Sequence, residues 1–180
     1  MALVTVGILF SCGNSGEKDS AEIAEDMNDQ ALEGTRMKDD AEFAVWAADG
    51  GIMEVRMGQL AAEKASSPQV KQFASAMVED HSKASEELKS YASSRNIVLP
   101  EMMSEDKQRK YDELAQKSGA DFDRAYIDFM VKDHKEDIDE YQEQSREATD
   151  PELRSWAQGK VPVLQHHLEM AQAAQDALKK

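Results

Sequence analysis

Four side chains that can bind a metal ion lie near the middles of four predicted helices. They are the carboxylate of Glu54 and the imidazoles of His81, His134 and His167, and each falls within the apolar stripe of its own helix. Zinc, iron and other late first-row divalent ions accept nitrogen and oxygen ligands in tetrahedral or open sites. The sequence therefore predicts a transition-metal site wherever these four side chains converge.

Spacing along the chain places the four residues at a common height. Glu54 lies 13 residues before a Ser-Pro turn and His81 lies 14 residues after it, so both should stand about 20 Å from that turn at 1.5 Å per helical residue. His134 and His167 lie 16 residues before and 17 residues after an Asp-Pro turn. All four are thus expected near the middle of a helical bundle.

Two aspartates precede two of the histidines directly. Asp80 and Asp133 point about 100° away from His81 and His134 around their helices. We therefore expect Asp80 and Asp133 to support the imidazole of a neighbouring helix rather than to bind the metal themselves.

The residues around the histidines bear on which metal ion the site would bind and on its chemistry. Glu-x-x-His, which carboxylate-bridged di-iron bundles place on two helices, is absent here, so the sequence gives poor support to ferroxidase chemistry. Met77 and Met130, one turn before two of the histidines, would let copper bind through sulfur and nitrogen. Methionine at core spacing is more typical of packing. Zinc, iron and copper all remain open.

The same residues have a plainer interpretation. His81 and His134 can be neutral, hydrogen-bonded core histidines with Glu54 half-exposed and no ion bound. The protein would then be a metal-free scaffold or interaction module of the cell envelope. His166 is expected to face outward, and the acidic run from Glu136 to Glu140 is expected to be a solvated helix face.

Apolar periodicity and capping residues predict four long helices and one short helix. The expected ranges are 39–66, 68–94, 105–117, 121–148 and 151 onward, with Trp46 facing inward and Gly119 ending the short helix. Two hairpins joined by one long crossover are the plan of a ferritin-like antiparallel four-helix bundle. The fold class predicted is therefore all-α, with a short extra helix in the crossover.

Several separated motifs occur in the order of a known family. They are Asp40-Ala41-Glu42-Phe43, Glu54-Val55-x-x-Gly58-x-Leu60-Ala61, Met77-Val78-x-Asp80-His81, Met130-Val131-x-Asp133-His134, Gly119-x-x-Phe122-Asp123-x-x-Tyr126 and Pro162-x-Leu164-x-x-His167-Leu168. Over Asp39 to Ala177 the chain resembles the bacterial domain-of-unknown-function family 4142. The resemblance implies a ferritin-like helical bundle that is exported or envelope-associated and has no established reaction.

The N-terminal residues resemble a signal that directs a protein to the cell envelope. Residues 1–11 are nearly all apolar and end at Cys12, the only cysteine. The run Leu9-Phe10-Ser11-Cys12 resembles a lipobox, so 1–12 is interpreted as the remnant of a lipoprotein signal with Cys12 lipidated. Gly13 favours an outer-membrane lipoprotein facing the periplasm. Residues 13–38 are expected to be a disordered acidic tether to a bundle domain at 39–180.

Charge and missing motifs restrict the function further. The chain has 180 residues and a net charge of -15, which repels nucleic acid and leaves a lipid anchor as the expected contact with the membrane. Neither a nucleophilic triad nor a phosphate-binding glycine loop is present, so the sequence leans away from an enzyme without excluding one. It does not identify a protein partner, and self-association stays open.

Overall fold

The computed structural model describes residues 18–179, and every regular element within that range is a helix. The helices are α1 (Ser20–Ala31), α2 (Lys38–Lys64), α3 (Pro68–Arg95), α4 (Glu105–Ala115), α5 (Gly119–Glu147) and α6 (Pro151–Ala177). The all-α fold class is confirmed, as are the four long helices and the short crossover helix. None of the helices in the described range has the length and apolar character needed to cross a membrane.

The four long helices pack as two antiparallel hairpins. α2 and α3 form one hairpin and α5 and α6 the other, while α3 contacts α6 and α2 contacts α5. The long connection between α3 and α5 contains α4, which packs on α2 and α5. This connection lets α5 begin beside the α2–α3 turn, so that every neighbouring pair in the bundle is antiparallel.

A buried aspartate fastens each end of the bundle. Asp123, near the start of α5, accepts hydrogen bonds from the backbone N–H groups of Ser66 and Ser67 in the α2–α3 turn, at 2.8–3.2 Å. Asp40, near the start of α2, accepts two backbone N–H groups of the α5–α6 turn at 2.7 Å. These bonds satisfy buried backbone donors and hold the two hairpins in register.

Two apolar clusters fill the bundle, one towards each end. One includes Phe73, Tyr126 and both Met77 and Met130, the methionines considered as copper ligands. The other, around Leu88, occupies the opposite end near the α5–α6 turn. The predicted metal-binding residues lie between these clusters or at their boundary, so the bundle has one polar layer at mid-height.

The predicted tether is wrong where it covers Ser20–Ala31, which is helix α1. Asp19 begins this helix, because its carboxylate accepts two backbone N–H groups of the first turn. The side chain of Glu22 accepts the backbone N–H of Asp19 in return, which completes a capping box. Residues 13–17 and the Cys12 signal lie outside the described residues.

Contacts with the crossover explain why α1 is ordered. The side-chain amide of Asn28 donates a hydrogen bond to the carbonyl oxygen of Val98 at 2.8 Å. Its oxygen accepts a hydrogen bond from the backbone N–H of Val98 at 2.7 Å. Ala21 and Ala24 are buried against Val45 of α2. Small apolar residues such as alanine give only a weak hydrophobic pattern in the sequence. The stability of α1 comes instead from its contacts with the crossover and with α2.

Two local predictions also need correction. Trp46 keeps 36% of its surface exposed, because it lies at the edge of the α2 stripe and packs on Phe43 and Tyr141. Gly119 does not end α4, which stops at Ala115. It has φ +58° and begins α5. This left-handed conformation suits glycine and redirects the chain between the two helices.

Candidate metal centre

Three imidazoles from three helices meet in the polar layer. His81 comes from α3, His134 from α5 and His167 from α6, and their ring centroids lie 5.2, 5.5 and 5.8 Å apart. One nitrogen of each ring lies within 4.8 Å of the others. His134 and His167 have no exposed surface and His81 has 8%. The three rings therefore form a compact, buried group of nitrogen donors, which we call the imidazole group.

Carboxylates orient two of these rings. Nδ1 of His81 lies 2.8 Å from Oε2 of Glu54, and Nε2 of His167 lies 2.9 Å from Oδ2 of Asp80. The other nitrogen of each ring is buried and makes no hydrogen bond with the described residues. A carboxylate on one ring nitrogen fixes the orientation of an imidazole and strengthens the other nitrogen as a metal ligand.

His134 completes the imidazole group without such a partner. The ring is entirely buried, and neither nitrogen makes a well-formed hydrogen bond with the described residues, although a backbone contact with Met130 raises the pKa of His134 against the effect of burial. Its Nε2 lies 3.8 Å from Oε1 of Glu54, which is too long for a hydrogen bond. A buried ring with two unpaired nitrogens is costly in a metal-free core.

The imidazoles are held neutral. Burial lowers the pKa of His81 to about 4, against the opposing effect of nearby aspartates. Burial also lowers the pKa of His134 well below its usual value, and the neighbouring imidazoles add to this effect. The pKa of His167 is lowered by burial as well, despite its bond to Asp80. Neutral rings are the form that binds metal ions.

A second group of possible ligands also lies close to His134. Carboxylate oxygens of Glu54, Asp133 and Asp137 lie with a nitrogen of His134 within 4.8 Å of one another. Glu54 is buried, with 5% of its surface exposed, and the two aspartates are half-buried. Oε1 of Glu54 and Oδ2 of Asp137 are both buried without a hydrogen-bond partner among the described residues. We call the three carboxylates the acidic group.

The acidic group is electrostatically costly on its own. Two ionised carboxylates at such distances repel by about 3–4 kcal/mol at an effective dielectric constant near 20. Burial raises the pKa of Asp133 to about 6 and raises the pKa values of Glu54 and Asp137 well above their usual range, with mutual repulsion adding to the last two.

No cation in residues 18–179 neutralises the acidic group by direct contact. Lys107 lowers the pKa of each of its members. Its ammonium group is nevertheless paired with Asp49, at 3.0 Å. No lysine or arginine of the described chain forms an ion pair with any of the three carboxylates. The negative charge of the group is therefore left to protons or to a bound cation.

A small opening leads towards the imidazole group. A cavity of about 80 Å³ is lined by Asp80, His81, Tyr141 and Lys160, among others. A much larger groove, of about 1120 Å³, lies between α1 and the crossover, and it is lined by no residue of the imidazole group or the acidic group and not by Asp80. Of these two, only the small cavity contacts the imidazole group, through His81, whose Nε2 has no partner in the described chain.

The four residues predicted to form one site are grouped differently in the structure. The three histidines come together. Glu54 lies 2.8 Å from His81 and also belongs to the acidic group. Of the two expected supporting residues, Asp80 contacts an imidazole on another helix, whereas Asp133 joins the acidic group.

Asp137 was missed by the sequence analysis. It lies in the run Glu136–Glu140, which was interpreted as a solvated face, and the structure corrects this for Asp137. A signal did exist, since Asp137 follows Asp133 by four residues and His134 by three. Residues at these spacings share a helix face, so the sequence places Asp137 between Asp133 and His134 around α5.

Comparison with known proteins gives a family and no reaction. The comparisons with curated proteins and with solved structures gave no match. A family model described as "Domain of unknown function (DUF4142)" matches residues 24–174. The match begins inside α1 and runs to the last turns of α6, so it includes both groups of the candidate centre. The chain therefore belongs to the DUF4142 family.

Proposed function

We propose that this protein binds a transition-metal ion through His81, His134 and His167, for storage, sequestration or sensing. The observation that carries the proposal is the state of the ring nitrogens. The rings approach within ligand range, and two of them have one nitrogen held by a carboxylate and the other buried without a partner. A histidine that served only packing would have no need of this arrangement.

The ligand set suits zinc, iron or copper. Three neutral imidazoles leave at least one coordination position for a fourth ligand, as in known three-histidine sites. Oε1 of Glu54 faces His134 at 3.8 Å from its Nε2 and is the protein oxygen best placed to supply that ligand. Nitrogen-rich donor sets favour the later first-row metals over magnesium or calcium. Zn²⁺ is the simplest probe because it has no redox chemistry.

Metal content of the purified protein tests the proposal. Protein prepared without chelator and then exposed to Zn²⁺ should retain about one tightly bound equivalent by elemental analysis after gel filtration. His134→Ala should lose it, because the variant removes one of three ligands. His166→Ala is the matched control, since this neighbouring histidine is exposed, and it should retain the metal.

One result would overturn metal binding. If wild-type protein holds less than about a tenth of an equivalent of every transition metal, and His134→Ala does not change that content, no ion binds. The domain would then be a metal-free scaffold or interaction module of the envelope. A circular-dichroism spectrum of His134→Ala that matches the wild type excludes unfolding as the cause of metal loss.

We also propose that the domain is anchored at the cell envelope by a lipid on Cys12, as an outer-membrane lipoprotein facing the periplasm. The support is the lipobox-like run Leu9-Phe10-Ser11-Cys12. Cys12→Ala should release the protein from the membrane fraction, whereas Ser11→Ala should leave it attached because a small residue is retained before the cysteine. Continued membrane association of Cys12→Ala contradicts the anchor.

A further inference from the structure

We propose that the acidic group binds a second divalent cation, with Glu54 shared between this cation and the ion at the imidazole group. The inference rests on the proposed function, because it places the second cation beside an occupied imidazole group. It adds a site formed by Glu54, Asp133 and Asp137, and it predicts a binding stoichiometry of two.

The first argument comes from His134, which lies within ligand range of the other two imidazoles and of the acidic group. A ring nitrogen can bind only one ion at a time. When His134 serves the ion held by His81 and His167, the acidic group keeps its three carboxylates within 4.8 Å of one another. Three carboxylates are a complete protein ligand set for a divalent cation that keeps water in its remaining positions.

The second argument comes from the free oxygens. Oε2 of Glu54 lies 2.8 Å from Nδ1 of His81, while Oε1 of Glu54 is buried and has no hydrogen-bond partner in the described chain. Oδ2 of Asp137 is in the same condition. Oε2 of Glu54 is thus held by His81, and Oε1 is the oxygen that the ion at the imidazole group and the second cation would share.

The third argument is that the protein satisfies its other buried carboxylates. Asp40 and Asp123 each accept hydrogen bonds from two backbone N–H groups. Asp49 forms an ion pair with Lys107 and accepts a hydrogen bond from a backbone N–H. Within residues 18–179 the acidic group has neither kind of partner. A bound cation is the partner that its chemistry fits best.

The two groups should prefer different ions. Imidazole nitrogens favour Zn²⁺, whereas carboxylates suit a harder ion such as Mn²⁺, which binds nitrogen sites more weakly. Zn²⁺ added first should therefore occupy the imidazole group, and Mn²⁺ added next should enter the acidic group. Mn²⁺ in solution gives a strong electron paramagnetic resonance signal that falls when the ion binds.

The experiment is a Mn²⁺ titration of full-length protein loaded with one equivalent of Zn²⁺. Wild-type protein should bind about one equivalent of Mn²⁺. Asp137→Asn should weaken Mn²⁺ binding by about tenfold or more, because it removes a charged ligand while nearly preserving shape. Asp139→Asn is the matched control on the exposed face of the same helix, and it should bind Mn²⁺ as the wild type does.

The outcomes separate the two proposals. Normal Zn²⁺ uptake by Asp137→Asn shows that the variant is folded and that its imidazole group works. If Zn²⁺ binds but wild type and Asp137→Asn take up Mn²⁺ equally weakly, the second cation is overturned while the first site stands. If the wild type binds no Zn²⁺, both proposals fail, whatever Mn²⁺ does.

Discussion

The buried carboxylates at the ends of the bundle differ from those at its middle. Asp40 and Asp123 cap the two hairpin turns, and both oxygens of each accept backbone N–H groups at 2.7–3.2 Å. At mid-height, Glu54 and Asp137 each keep an oxygen that is buried and has no partner in the described chain. Side chains of the same chemistry are fully hydrogen-bonded at the ends of the bundle and only partly paired at its middle.

We infer from this difference that the carboxylates at the ends stabilise the fold and that those at the middle serve the proposed metal binding. A carboxylate that receives fixed backbone donors stabilises the fold, and it leaves no oxygen for a ligand. A carboxylate crowded by like charges raises the energy of the folded state unless a proton or cation joins it. We therefore expect changes at the ends to affect unfolding and changes at the middle to affect metal binding.

The largest effect on unfolding should come from Asp123→Ala. This change leaves buried backbone donors of the α2–α3 turn without an acceptor, which should cost about 2–4 kcal/mol. Urea denaturation measures the loss, and Zn²⁺ uptake should stay at one equivalent. Asp139→Ala, on an exposed face, should stay within about 0.5 kcal/mol of wild type. A stable Asp123→Ala would break the distinction between the two regions.

Metal removal should have the next largest effect. Zn²⁺ at a hundredfold excess over its dissociation constant stabilises the native state by about 2.7 kcal/mol. Adding a chelator should then lower the melting temperature by about 5–10 °C. His134→Ala, which lacks the ion, should melt at the same temperature with and without chelator. Equal melting of wild-type protein under both conditions would contradict an ion in the middle layer.

Asp80→Ala should show that a residue of the middle layer affects binding more than folding. Asp80 orients His167 through the 2.9 Å contact, and 43% of its side chain is exposed. Its loss should weaken Zn²⁺ binding by about 10- to 100-fold and change stability little. Competition with a coloured chelator measures the affinity. Glu79→Ala, an exposed neighbour, is the control, and equal affinity of both variants would refute the orienting role.

The smallest effect should be a pH dependence in the metal-free protein. Because burial and repulsion raise the pKa of Asp137 in the folded state, the folded protein keeps a proton that the unfolded chain releases above about pH 4. Stability therefore falls as pH rises. Asp137→Asn lacks this proton, so it should gain stability relative to wild type between pH 5 and 8, by about 1 kcal/mol.

Urea denaturation with chelator at several pH values measures the difference between the two proteins. Asp139→Asn should show no such trend, because its carboxylate is exposed. A difference between wild type and Asp137→Asn that is constant, or that shrinks as pH rises, would show that this carboxylate is already ionised at pH 5.

Two matching motifs show where prediction from sequence stops. Met-Val-x-Asp-His occurs on α3 and again on α5, and the sequence assigns Asp80 and Asp133 the same role. In the structure Asp80 contacts His167, while Asp133 joins Glu54 and Asp137. The rotation of each helix and the identity of its neighbour decide this, and neither can be read from spacing within one helix.

The sequence by itself determined the helices, the two hairpins and the common height of Glu54, His81, His134 and His167. These features depend on local periodicity, on capping residues and on the constant rise of an α-helix. Only the tertiary structure decided that α1 is ordered, that Asp137 is drawn into the polar layer, and that this layer contains an imidazole group and an acidic group. Those outcomes depend on packing between helices distant in the chain, which brings together groups that no local pattern relates.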